Sequence, residues 1–181
     1  IGMDKKGEID YLSKIIKPDV GVITNVSYAH IKNFENINQI ALAKSEIIKN
    51  IKDDGYLILN KDDKFYNFHE KIGLKRNLKI LSFSLSNKSA TINLDSISKE
   101  KSKYKISINI NKTKKFFYSN SLFENDLKNL LASITIISIF KDIHRLDKNI
   151  FYGHKTTTGR GDMVKVKLFK KNLYLVDESY N

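Results

Sequence analysis

Apolar and polar positions follow one another along this chain in two rhythms. From Glu8 to Lys17, "EIDYLSKIIK" sets Ile9, Leu12, Ile15 and Ile16 on one helical face, and Pro18 ends the run because its ring blocks a further turn. "VGVITNV" follows, a short β-branched stretch without alternation, as in a strand covered on both faces. A polar loop with Ser27 and His30 leads to a second helix, Asn36 to Ile51, whose apolar stripe is Ile37, Ile40, Ala41, Ile47, Ile48 and Ile51. Lys44 fills the gap in that stripe. Gly55 reads as a stop, "YLILN" as a second buried strand, "KFYNFHEKI" as a short helix and "LKILSF" as a third strand. Strand, helix, strand, helix, strand is the order of a parallel sheet with crossover helices.

After Asn87 the period changes to two. "ATINLDSI", "YKISINI" and "KFFYSN" alternate, with Tyr104, Ile106, Ile108 and Ile110 set against Lys105, Ser107 and Asn109, which predicts an antiparallel meander with one wet face. Asp126 to Phe140 is apolar nearly all round, as a buried helix is. The glycine-bearing loop "YGHKTTTGRGD" then precedes two alternating strands, "MVKVKLF" and "NLYLVDES". A domain boundary is expected there, between 152 and 153.

Composition narrows the chemistry. A chain of 181 residues can bury a real core. No apolar run approaches the roughly 20 residues that cross a bilayer, and no leader with a cleavage site opens the chain, so a cytoplasmic protein without membrane insertion is expected. With no cysteine there is no thiolate metal site, and a hard ion such as Mg²⁺ bound by oxygen and imidazole is the metal that remains. The formal net charge of +12 raises a basic nucleic-acid-binding module as an alternative. Against it, Arg76, Arg145 and Arg160 are the only arginines among 32 basic residues, and the lysines are scattered in sequence. AT-rich codons account for lysine, isoleucine and asparagine together.

In open parallel sheets, ligands gather outside the carboxyl ends of the strands. "VGVITN" delivers Thr24, Asn25 and His30 there, and "YLILN" delivers Asn60, Asp62 and Asp63. His30 reads equally as a surface histidine, and Asn60 with the two aspartates reads as a helix cap. Two accounts of Lys44 are open. Its stem can lie on the core while the ammonium reaches water, or a desolvated amine can add CO₂ and become a carbamate, an oxygen ligand for a metal. Asn125 and Asn129, four apart, share a helix face. Asn125 suits a cap, whereas Asn129, inside the helix, gains little unless its amide meets a partner such as an adenine edge. Arg160, between glycines in "TGRG", is either a solvated loop residue or a phosphate contact. His69, His144 and His154 have no metal-ligand spacing and read as structural or exposed.

These stretches together resemble the Mur ligases. The family's G-E-I, P-x-x-x-x-x-T-N-I, A-H-L-E-x-F-G-S, I-A-x-A-K-x-E-I and L-N-x-D-D patterns appear as "GEI", "PDVGVITNV", "AHIKNFEN", "IALAKSEI" and "LILNKDD", dense over the first 63 residues. The likeness resumes with "ENDLKNLLAS", "GRG" and "VDESYN". The final motif and the A-H-x-x-x-F form resemble the branch that adds D-alanyl-D-alanine to UDP-N-acetylmuramoyl-tripeptide, while folylpolyglutamate synthases of the same superfamily remain the alternative enzyme.

The resemblance implies an α/β fold, a Rossmann-like, mostly parallel sheet flanked by helices with an antiparallel meander. It is that of a P-loop NTPase-type central ATP-binding domain, here residues 1–152. Residues 153–181 would be the linker and first strands of a C-terminal ligase domain. It implies ATP and Mg²⁺ as cofactors, His30 as a metal ligand and Lys44 as a carbamoylated, catalytic metal ligand. Asn129, Asn125 and Asn60 would lie at the adenine, Arg160 at the ATP phosphates, and Asp177 with Glu178 at the ribose. A monomer with no nucleic-acid partner is expected. Departures are Glu124 in place of the histidine of H-N-x-x-N, and Glu178 in place of the second aspartate of D-D-S-Y-N. The family's G-T-N-G-K-T phosphate loop and the glutamate of E-x-G would precede Ile1, so the stretch reads as a piece of a longer enzyme, inactive alone.

Overall fold

The computed structural model describes residues 1–28, 33–111, 113–153, 162–169 and 171–177, with the side chains of 162–164, 176 and 177 left aside. Its elements are α1 (Glu8–Ile16), β1 (Val20–Ile23), α2 (Ile37–Asn50), β2 (Tyr56–Asn60), α3 (Tyr66–Lys75), β3 (Lys79–Ser84), β4 (Ile92–Glu100), β5 (Lys103–Ile110), β6 (Thr113–Ser119), α4 (Glu124–Phe140), β7 (Asp162–Leu168) and β8 (Lys171–Asp177). β1 to β6 form one sheet in sequence order. β1 to β4 are mutually parallel, and β5 and β6 extend the sheet antiparallel, as the change of period predicts. β7 and β8 pair as a separate antiparallel hairpin.

Alternation along β2 decides the layers. Ile58 points into a cluster with Phe83, Ile92, Ile106, Ile108 and Phe117 that packs on Leu127, Leu130, Leu131 and Ile134 of α4. Its neighbours Leu57 and Leu59 point the other way, onto Ile48 and Ile51 at the end of α2 and Tyr66 of α3. The sheet is therefore covered by α2 and α3 on one face and α4 on the other, which is why β1 to β3 read as unbroken apolar runs. The meander keeps Ile106 and Ile108 inside and turns Lys105, Ser107 and Asn109 outward, as expected.

Three local expectations need correction. The predicted apolar face of α1 is not a buried one: Ile9 is buried, but Ile15 and Ile16 are 65% and 57% exposed and Leu12 38%. α1 is instead held to α2 by polar contacts. Ser13 is fully buried and its hydroxyl accepts from Asn50 Nδ2 at 2.8 Å. The Glu46 carboxylate accepts from the Gly7 N–H at 2.9 Å and the Asp10 N–H at 3.1 Å, capping a helix whose own N-cap, Gly7, has no side chain to offer. Second, Gly55 does not stop α2, which ends at Asn50. It lies after a turn in which Asp54 takes the left-handed conformation, and a Cβ on Gly55 would fall 2.8 Å from the carbonyls of Asp19 and Lys52. Third, Asn125 does not cap α4, because the helix begins at Glu124 and its N-cap is Phe123.

The cap supplied by Glu46 leads to a measurable expectation. Glu46→Ala leaves two main-chain donors of α1 without their acceptor and should cost about 1–2 kcal/mol in urea unfolding. A loss under a few tenths would mean that α1 does not depend on this contact.

Candidate functional site

The carboxyl ends of β1, β2 and β3 lie side by side, and two adjacent aspartates after β2 tie them together. Asp62 reaches toward β3: its carboxylate accepts from the Ser84 and Ser86 hydroxyls and, at 2.6 Å, from the Leu85 N–H. Partial shielding from water alone would raise the Asp62 pKa. Those hydroxyl and main-chain donors outweigh it and hold the carboxyl below its ordinary 3.8. Asp63 reaches the opposite way, accepting from the Val26 N–H in the loop after β1 at 2.6 Å and from the Phe65 N–H at 2.8 Å. Asn60, buried at the end of β2, accepts from the Asp62 N–H at 3.0 Å and so fixes the turn from which both aspartates project. These residues form a clasp across three strands rather than a helix cap, since the N-cap of α3 is Phe65 and makes no side-chain cap bond.

Lys44 projects from the middle of α2 into a cleft of about 420 Å³ beside the end of β1, whose lining includes Thr24, Asn25, Ser27 and Ile47. It is half-buried, and Nζ donates to the Asn25 carbonyl at 2.7 Å. Burial lowers the Lys44 amine below its ordinary 10.5, while the charge of Asp63 pulls it back up. His69 of α3, read from sequence as structural or exposed, is 2% exposed, and Nε2 lies 3.1 Å from the Ala41 carbonyl one turn before Lys44. An imidazole so placed donates from Nε2 to the carbonyl.

Burial is the first cause that keeps His69 below the ordinary 6.5; its bond to Ala41 and the charge of Asp63 oppose that, and Lys44 adds to it. As pH falls below about 6.5 the unfolded chain takes up a proton here that the folded chain refuses, so this contribution to stability, complete above that pH, is lost on acidification. The urea midpoint should therefore fall as the pH is lowered below about 6.5, and His69→Gln should flatten that slope. An equal slope in the variant would assign the effect elsewhere.

Other expected site residues are distributed around this edge. β6 runs parallel to β1, so α4 starts at the same edge as Lys44 but on the opposite face of the sheet, with Asn125 and Asn129 both exposed in its first turns. Asp177 ends β8 opposite Asp162, and only its backbone is described. His30, Arg160, Glu178 and His154 lie outside the described residues. Among the described residues no group of three or more His, Asp or Glu side chains is placed to hold a metal, and no helix is long and apolar enough to cross a membrane. Lysines scattered in sequence meet on the meander, where Lys103 Nζ sits 3.4 Å from the Tyr118 ring centre and Lys105 Nζ 4.4 Å from that of Phe116. These two rings are covered by the protein's own ammonium groups.

Sequence reading placed Asp62 and Asp63 at this edge but took them for cap residues, and it read His69 as structural or exposed; Glu46, which nothing local marks, it missed.

The Mur ligase middle domain family matches residues 1–137. The UDP-N-acetylmuramoyl-tripeptide–D-alanyl-D-alanine ligase of Rickettsia prowazekii is 37% identical over 93 residues, 50% of this chain and 20% of that protein. Among solved structures, MurF from Acinetobacter baumannii superposes with a TM-score of 0.83 at 22% identity, covering 100% of this chain and 38% of that one. MurF ligase from Thermotoga maritima in complex with ADP gives 0.78 at 23% identity, covering 97% and 39%. The chain thus spans well under half the length of these proteins, and the structural likeness is one of fold.

Proposed function

The chain belongs to the Mur ligase family, and from that premise we propose that it is part of an ATP-dependent ligase that joins D-alanyl-D-alanine to UDP-N-acetylmuramoyl-tripeptide in peptidoglycan precursor synthesis. The observation that carries the choice of substrates is the R. prowazekii relative, a ligase named for that reaction. Residues 1–152 serve as the central ATP-binding domain and 153–181 as the linker and start of a C-terminal domain, a division that the separate β7–β8 hairpin supports. The enzyme works in the cytoplasm as a monomer.

The reaction transfers the ATP γ-phosphoryl group to the tripeptide's terminal carboxylate. The amine of D-alanyl-D-alanine then attacks the acyl phosphate, and phosphate leaves as the amide forms. Negative charge builds at each stage, so the site needs fixed positive charge and donors rather than a covalent nucleophile. Oxygen-bearing residues Thr24, Asn25 and Ser27 line the cleft with Lys44, whose Nζ meets the Asn25 carbonyl and whose amine is lowered by burial, the condition for carbamate formation; such oxygen donors are the kind a hard cation takes. Lys44 as a carbamate and His30 would hold Mg²⁺, which supplies charge neutralisation for the phosphates. The exposed Asn129 and Asn125 contact the adenine, the buried Asn60 supports that edge from beneath, Arg160 meets the phosphates, and Asp177 with Glu178 the ribose.

The assay uses the complete protein that contains this chain. ADP and phosphate release should require both substrates, with a UDP-muramoyl pentapeptide as the product by mass spectrometry. Extension of folate by glutamate instead would overturn the reading.

A further inference from the structure

One peptide group at the end of β1 is gripped from both sides. The Asn25 carbonyl accepts from Lys44 Nζ at 2.7 Å, and the N–H of the same peptide group, that of Val26, donates to Asp63 Oδ2 at 2.6 Å. An ammonium group and a carboxylate are thus bridged through a main-chain amide whose dipole is aligned with both. Each bond is charge-assisted and each polarises the other. The Val26 side chain is anchored too, buried among Ile40, Ala41, Phe34 and Phe65.

Resting on the ligase reading above, we propose that Asp63 is a positioning residue of the ligase site. It acts through the 25–26 peptide on Lys44, a proposed metal ligand, by fixing the acceptor that places its Nζ. Asp63 is itself held by the Phe65 N–H at 2.8 Å, and the turn below it by Asn60, which makes the clamp rigid from the β2 side. Asp62 spends its oxygens on the β3 exit, so the two carboxylates divide the work.

Asp63→Asn is the informative variant, because it keeps the shape but presents an amide NH₂ to one of two N–H donors. In hydrogen exchange of the complete protein without ligands, the Val26 amide should exchange about 10- to 100-fold faster in Asp63→Asn, while β2 and β5 keep their protection. In the ligase assay kcat should fall about 10- to 100-fold, with KM for ATP and D-alanyl-D-alanine within about twofold. Unchanged Val26 exchange overturns the clamp. Faster exchange with unchanged kcat, or a loss confined to melting temperature, overturns the positioning role and leaves a structural bond. Absence of turnover in the wild-type protein refutes the ligase reading instead, and the exchange arm separates that failure from failure of the clamp.

Discussion

Lys44→Ala in the complete protein is expected to lower kcat by on the order of 10²–10³-fold, the loss found when a preorganised group that stabilises transition-state charge is removed. Folding should barely register it. Lys44 is half-buried and gives up one hydrogen bond, to the Asn25 carbonyl, so the stability change should stay near 1 kcal/mol. The two readings of Lys44 differ most under rescue. If the side chain works as a carbamate, the vacated cleft can take a small carboxylate in its place, and added bicarbonate or short carboxylic acids should restore part of the activity. A lysine that only covers the core would leave Lys44→Ala fully active. A lysine working as a cation would leave it inactive and indifferent to carboxylates, restored in part by Lys44→Arg.

Much of the fold follows from periodicity because burial on one face or two leaves different marks. β1 to β3 carry helices on both faces, so their apolar runs do not alternate. β5 has one wet face, so Ile106 and Ile108 alternate with lysine and serine. Asn36 was legible as the start of α2, and its side chain does accept from the Asn38 and Gln39 N–H groups. The face of α1 was misread because helical spacing shows that an apolar stripe exists, not that it is covered. What holds α1 is Glu46, about forty residues away in sequence, and no local pattern records such a contact.

The site was half legible for a related reason. Lys44 stood out as a charge in an apolar stripe, and it does project into a cleft. Its partner was invisible because it acts through main chain: the Asn25 carbonyl has no residue identity for a sequence to display, and neither has the Val26 N–H that Asp63 holds. Asp62 and Asp63 looked like cap residues, since the same Asx chemistry serves a cap and a clasp. Which one forms depends on the neighbouring strands, and Val26, in the loop after β1, lies 37 residues upstream of the aspartate that holds it.

Beneath that clasp, Phe83→Ala should produce the largest stability loss of any substitution discussed. Phe83 is fully buried in β3, in register with Asn60 of β2 and Ile92 of β4, and it packs in the cluster that joins the sheet to Leu131 and Ile134 of α4. Removing the ring loses its transfer free energy and leaves a cavity that two parallel strands and a helix cannot fully close, a cost of about 3–5 kcal/mol. That is a large share of the roughly 5–15 kcal/mol that holds a typical domain folded. Phe83→Leu, which refills most of the volume, should recover more than half of it. The effect should also reach the site edge, because the Phe83 carbonyl accepts from the Lys61 N–H at 2.8 Å and the next residue, Ser84, donates to Asp62. Urea unfolding of the three proteins, with hydrogen exchange at Lys61 and Leu85, tests both parts. A loss under about 1 kcal/mol would mean that α4 and the sheet do not share the core described, and faster global unfolding without faster exchange at Lys61 and Leu85 would separate the core from the clasp above it.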